Sequence, residues 1–234
     1  MMDIILQQVL NAISLGGIYA LLALGLAVVF SIVGLINFAH GELMTVAGYV
    51  LFLGVLFALP LPFAVLLAIG AAALAAVLTE RLAFRPMRKA DATSLLLTSF
   101  AVSAILRVLF QNGISARPKP VPLPSALSGT VNLGPVHLGA VPLASIVVTV
   151  LSLVALNLFL KRTTMGQAMR AAAEDFQVLR LMGIKANRVI AVAFGLSGAL
   201  AGVSAVLWVA QRGSVDPLMG FIPVLKAFVA AVIG

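Results

Sequence analysis

The sequence predicts an all-α fold, a polytopic transmembrane helical bundle with about seven spans visible. Three observations carry this expectation. Hydrophobic residues make up 62% of the 234 and charged residues 9%, where a soluble domain has roughly 45–50% and about 25%. A soluble core of this size has no room for that excess, whereas lipid-facing surfaces absorb it. Apolar runs near the length of a membrane helix recur along the chain between short polar segments. Finally, ten of the fifteen Lys/Arg fall in two of those segments, 80–93 and 161–188, the pattern of basic loops kept on one side of a membrane.

The same clustering decides what the net charge of +8 means. Basic residues confined to loops between apolar runs point to a lipid bilayer, not to nucleic acid. With no cysteine there is no disulfide framework or thiolate chemistry. The two histidines, His40 and His137, lack ligand spacing, and His40 with Glu42 finds no third metal ligand nearby. The chain opens Met1-Met2-Asp3 without a basic n-region, which argues for a retained first helix and against a cleaved signal.

The first apolar run, Ile4 to Gly34, reads either as one long tilted helix or as a helix preceded by a short interfacial piece around Gln7, Gln8 and Asn11. A polar interruption follows at 37–42, Asn37-Phe38-Ala39-His40-Gly41-Glu42. The second run, 43–59, and the alanine-rich third, 63–79, are separated only by Pro60-Leu61-Pro62, so they pack as antiparallel neighbours. A charged loop, Glu80 to Thr93, leads to a fourth run at 94–110. The segment 111–140 is rich in Pro and Gly, has no acidic residue and reads as an irregular external loop. A fifth run covers 141–160, a sixth 189–209, and a seventh begins near Phe221. The chain stops inside that last apolar run, so its C-terminal helix reads as truncated from a longer one. The basic loops 80–93 and 161–188 are two spans apart and share the cytoplasmic side; 60–62, 111–140 and 210–222 then fall outside. Residues 1–234 form a single transmembrane domain in this reading.

Within 161–188, Met165, Ala168, Met169, Ala172, Phe176 and Leu179 recur at helical spacing and make one apolar stripe. Arg170, Glu174, Gln177 and Arg180 fall mainly elsewhere on that helix. Gly183 is placed to end it as a left-handed residue, and Asn187 to cap the next. Physics alone leaves two readings open: an interfacial helix that covers the bundle, or a docking helix whose exposed face engages a cytoplasmic partner. The interruption 37–42 is equally two-sided. Asn37, His40 and Glu42 either border a hydrated translocation path, since polar groups at membrane depth face protein or water, or form a surface turn in water. Gly198-x-x-x-Gly202, with Gly195 and Ser197 nearby, marks a close helix approach, and Gly16, Gly17, Ala20 and Gly25 suggest the same in the first span. Arg107, near the end of the fourth span, reads as snorkelling to the interface.

Three separated stretches resemble the branched-chain amino-acid ABC transporter permeases: Gly16-Gly17-Ile18-Tyr19-Ala20-Leu21-Leu22-Ala23-Leu24-Gly25-Leu26, then Gly34-Leu35-Ile36-Asn37-Phe38-Ala39-His40-Gly41-Glu42-Leu43-Met44, and Thr164-Met165-Gly166-Gln167-Ala168-Met169-Arg170-Ala171-Ala172-Ala173-Glu174-Asp175 with Arg180-Leu181-Met182-Gly183-Ile184. Within that family the chain is similar to the first of the two membrane subunits, the one with little sequence before Gly-Gly-Ile-Tyr-Ala-Leu. The resemblance implies a permease of the bacterial inner membrane paired with a second permease. It also implies two cytoplasmic ATP-binding subunits docked on 161–188 and an external substrate-binding protein. Leucine, isoleucine and valine are the implied substrates; urea, short amides or other amino acids are the alternatives within the family. The docking residues become Arg170, Glu174, Asp175, Gln177, Arg180 and Gly183. One departure stands out: import permeases often carry Glu-Ala-Ala, three residues, then Gly here, and this chain has Gln177-Val178-Leu179, leaving Glu174 and Asp175 to supply the acid. No G-x-x-x-x-G-K-[S/T] loop is present, and no Ser/His/Asp or paired-carboxylate constellation lies between the spans. The chain is therefore read as not itself an enzyme, with no cofactor. A self-contained channel or secondary carrier, the competing class, requires ionisable residues buried within spans; only Glu42, Arg107 and Lys226 come near that.

Overall fold

The computed structural model describes residues 2–88, 90–122, 129–133 and 136–233; the side chains of 2–4, 130–133, 136–138, 177, 178 and 180 are outside that description. His137 is therefore placed only by its backbone.

The first apolar run is one helix, α1 (Met2–Val33), with Gln7, Gln8 and Asn11 inside it and no separate interfacial piece. It ends where Gly34 takes a φ of +67° and donates its N–H to Phe30 O at 2.8 Å, a conformation that favours glycine. After a short non-helical link, α2 (His40–Leu56) begins inside the polar interruption, so His40, Gly41 and Glu42 are its first turn. Pro60 precedes α3 (Leu61–Thr79), and Pro62 sits in its first turn, where a missing N–H costs nothing. The expected charged loop starts as helix instead: Glu80–Phe84 form a π-turn closed by Arg85 N–H to Glu80 O at 2.7 Å. Asp91 then caps α4 (Ala92–Gly113), its carboxylate accepting from the Ser94 N–H at 3.2 Å and hydroxyl at 2.6 Å.

Part of 111–140 is ordered, not irregular. Strand β1 (Lys119–Pro120) precedes a hairpin of β2 (Thr130–Leu133) and β3 (Val136–Gly139). Then come α5 (Ala140–Arg162), α6 (Thr164–Glu174), α7 (Phe176–Leu181), α8 (Ala186–Arg212), β4 (Ser214–Val215) and α9 (Phe221–Ile233). Strand β1 pairs antiparallel with β4, which puts the segments after α4 and after α8 at one end of the bundle. Arg88 donates to Asn187 Oδ1 at 2.6 Å, which joins the loop after α3 to the start of α8 at the other, basic end. Asn187 lies inside α8, whose cap position is Lys185; the side chain expected to cap the helix is taken by Arg88.

Helix α8 is central, packed on α3, α1 and α2. Ala64, Ala68, Ala72 and Ala76 of α3 are all fully buried at a spacing of four, one turn apart on one face. By contrast Leu97, Ile105, Val108 and Leu109 of α4 and Val147, Val150 and Leu151 of α5 are exposed. Apolar surface on that scale belongs to a lipid-facing perimeter. Among the described residues, five helices, α1, α3 with its π-turn, α4, α5 and α8, are long and apolar enough to cross a membrane; α2 and α9 are shorter.

Candidate functional site

Where α2 and α9 begin, polar side chains gather in the middle of the bundle. His40, fully buried, lies against α1 and α8: its Nδ1 is 3.2 Å from Ser197 Oγ. Ser197 is the twelfth of the 27 residues of α8, about 17 Å in from its start. A Cβ at Gly25 would stand 2.8 Å from the imidazole, so the glycine of the N-terminal motif makes the space His40 fills. Glu42 is 1% exposed; its Oε1 accepts from Ser103 Oγ at 3.0 Å and Arg107 at 3.2 Å on α4. The Arg107 guanidinium also stacks on Phe221 at 4.6 Å. Arg107 is thus the ion-pair partner of a buried carboxylate, and the snorkelling expectation is corrected. Geometry explains it: α2 starts deep enough to bring its carboxylate within reach.

Asn37 is 3% exposed and lines a cavity of about 380 Å³ with Leu26, Phe30, Phe228 and Val232. Burial of Asn37, His40 and Glu42 overturns the alternative of a surface turn in water. Among the described residues, Asn37 Oδ1, His40 Nε2, Glu42 Oε2 and Arg107 Nε have no hydrogen-bond partner. Nearby, the backbones of Gly41 and Gly220 touch so closely that a Cβ on either would overlap the other's backbone.

The second feature is a ledge at the basic end. Thr163 turns the chain from α5 into α6: its hydroxyl donates to Phe159 O at 2.7 Å and accepts from Gly166 N–H at 3.0 Å. A Cβ at Gly166 would overlap Phe159 O and the Leu160 backbone, so the corner is locked. Met169, Ala172 and Leu179 are buried, and Met165, Ala168 and Phe176 half-buried; the apolar stripe does face the bundle. The helix is not continuous, however. Asp175 is extended (φ −151°, ψ 105°) and divides α6 from α7. Arg170, Glu174 and Asp175 are exposed on the outer side. The side chains of Gln177 and Arg180 lie outside the described residues. Gly183 has the positive φ expected of it, +77°. Sequence reasoning missed Leu181 and Met182, 86% and 70% exposed at the tip of the ledge. Their only signal was that two large apolar residues fall off the stripe just before Gly183.

The third feature is the seam of α8 on α3. At Gly198 a Cβ would stand 2.5 Å from Ala72 O and 2.6 Å from Ala76 Cβ, and at Gly202 2.8 Å from Ile69 Cα. Gly195 is looser, its nearest neighbour being Val77 Cγ2 at 3.4 Å.

These features define a class: a multi-pass helical membrane protein with a buried polar junction and an amphipathic ledge at one end. The family described as "Branched-chain amino acid transport system / permease component" matches residues 8–234. The chain is 35% identical over 241 residues to the high-affinity branched-chain amino acid transport system permease protein BraD of Pseudomonas aeruginosa, covering 98% of this chain and 78% of BraD. It is 35% identical over 245 residues to the corresponding LivH of Escherichia coli K12, with the same coverage. Similarity to the LivM permease of the same bacterium is weaker, 29% over 245 residues, covering 92% of this chain and 55% of LivM. No solved structure matches the chain significantly. The chain belongs to the branched-chain amino acid transport permease family.

Proposed function

We propose that this chain is the membrane-spanning permease subunit of an ABC importer for branched-chain amino acids, forming one half of the path and coupling it to separate ATPases. The observation that carries the reading, in a chain of this family, is the α6–α7 ledge. It is apolar toward the bundle, locked to α5 at Gly166 and turned into α8 at Gly183, and it exposes Leu181 and Met182 at its tip and Arg170, Glu174 and Asp175 nearer its start. Exposed apolar anchors on a segment that also exposes charge suit insertion into a partner groove. A ledge continuous with two membrane helices passes a partner's displacement into the bundle. Residues 161–188 are then the cytoplasmic docking segment, 111–140 is external, and α2 and α9 are the remaining two of seven spans in a bacterial inner membrane. Greater similarity to LivH than to LivM supports an unlike second permease as partner, with two ATPases and an external binding protein completing the complex. Asn37, His40 and Glu42 border the path in this reading, their unpaired atoms finding partners when the bundle changes state.

The test is reconstitution with the second permease and the ATPases. ATP-dependent accumulation of leucine in proteoliposomes is expected, and Leu181→Asp with Met182→Asp abolishes copurification of the ATPases while leaving the permease inserted. Unchanged assembly by that variant removes the docking role. A second reading, a carrier driven by an ion gradient, is favoured by the buried Glu42–Arg107 pair and His40. Uptake without ATPases that collapses with the gradient establishes it instead.

A further inference from the structure

Two adjoining cavities open at the basic end, the second beside the ledge. A crevice of about 650 Å³ runs between α3, α5 and α8, floored by half-buried Val77, Phe159, Val192 and Leu196 with Gly195 at its depth. Its mouth carries Arg81, Arg85 and Arg188, all exposed. A second hollow of about 970 Å³ shares Arg85 and Arg188 and adds Lys185. The one carboxylate in the lining, Glu80, is 1% exposed and already held by Arg88. Arg81, Arg85, Lys185 and Arg188 have no carboxylate partner among the described residues.

We propose that this crevice binds an anionic glycerophospholipid of the adjacent leaflet, with the phosphate among Arg81, Arg85 and Arg188 and the acyl chains along α3, α5 and α8. Charge and depth together select this occupant. From Asn187 to Gly195 the crevice follows α8 for about 12 Å into helices of membrane-crossing length. An acidic peptide satisfies the arginines but leaves the apolar floor unfilled. A zwitterionic lipid fills the floor but brings its own amine to the mouth. Basic pockets between membrane helices suit anionic headgroups. Gly195 supports the same reading. It lies three residues before the crowded Gly198, yet a Cβ there meets only Val77 at ordinary contact distance, so its missing side chain serves the crevice and not the seam.

The experiment uses the whole chain in mild detergent, titrated with phosphatidylglycerol and, separately, with phosphatidylcholine of the same acyl chains and with glycerol phosphate, read by native mass spectrometry. Phosphatidylglycerol is expected to bind more tightly than phosphatidylcholine. Each of Arg81→Gln, Arg85→Gln and Arg188→Gln should weaken it about fivefold, with no change in phosphatidylcholine binding. Gly195→Leu should exclude both lipids while keeping every charge. These substitutions are at exposed or loosely packed positions, and the bound-lipid count is read on the folded peak alone. Equal binding of the two lipids, or undiminished phosphatidylglycerol binding in the arginine variants, overturns the proposal. Glycerol phosphate binding as tightly as the lipid marks a free-anion site and overturns it too. So does a loss of ATPase copurification with lipid preference intact, which marks the mouth as a protein-docking surface.

Discussion

The α3–α8 seam and the α2–α9 junction lie at similar depth in the same bundle and are built in opposite ways. At the seam, alanines of α3 meet Gly198 and Gly202 of α8, backbone nearly on backbone. Without a hydrophobic force between helices in lipid, close packing of small residues supplies the attraction. At the junction the backbones also touch, at Gly41 and Gly220, but around them sit Asn37, His40, Glu42 and Arg107, each with a polar atom left unpaired. Such atoms cost about 1–3 kcal/mol each when buried. The seam is therefore held by its own contacts, and the junction by the packing around it. A region whose polar groups lack partners in one arrangement is the one with something to gain from another.

Breaking the junction should cost most. Arg107→Met leaves Glu42 as an uncompensated buried charge, and a loss of about 3–5 kcal/mol is expected, as for other broken buried pairs. Thermal unfolding of the detergent-solubilised protein measures it. Adding Glu42→Gln should restore most of that loss; if the double variant is as unstable as the single, the pair is not the source. At the seam, Gly198→Val drives a side chain into the α3 backbone and should cost about 1–3 kcal/mol or more. Gly195→Ala, one turn away, should stay within about 0.5 kcal/mol. Equal effects at the two glycines would erase the distinction between them.

The ledge offers a smaller and more local effect. Among the described residues no atom lies within 4 Å of a Cβ at Gly183, so Gly183→Val pays mainly for its positive φ, about 1 kcal/mol. The chain should stay inserted with its melting temperature lowered by only about 2–4 °C, while ATP hydrolysis in the reconstituted complex proceeds without matching uptake. Wild-type coupling in that variant would confine the ledge to a structural role. The smallest effect is at the α4 cap. Hydrogen bonds from Ser94 hold the Asp91 carboxyl below the usual carboxylate range. Because the folded value is the lower one, the cap's contribution is present above the ordinary carboxylate pKa and is lost as pH falls through the lowered value. Amide exchange at Thr93 to Leu95 should quicken across that acidic window, and Asp91→Ala should remove the pH dependence.

Much of this was legible in the sequence because it is local. Run lengths marked the helices, the stripe of Met169, Ala172 and Leu179 marked the buried face of the ledge, and Gly183 marked its left-handed end. The pairing of Glu42 with Arg107 was not legible, since the partners are 65 positions apart and only the depth of the α2 start brings them together. Nor was the division of the ledge at Asp175, because the apolar stripe runs on across the break. Helices apolar on every side carry no periodic signal for which face meets lipid, so the choice of α8 as the centre is a property of the packed bundle alone.

The contact of Gly41 with Gly220 has a mechanical side. Two rods that meet backbone to backbone act as levers on a shared fulcrum. Helix α2 extends about 25 Å from that point, at roughly 1.5 Å per residue. Turning α2 by about ten degrees swings its far end by roughly 4 Å, about three-quarters of a helical turn, while the fulcrum itself hardly moves. Any side chain added at the pivot would shift the resting angle of both arms at once.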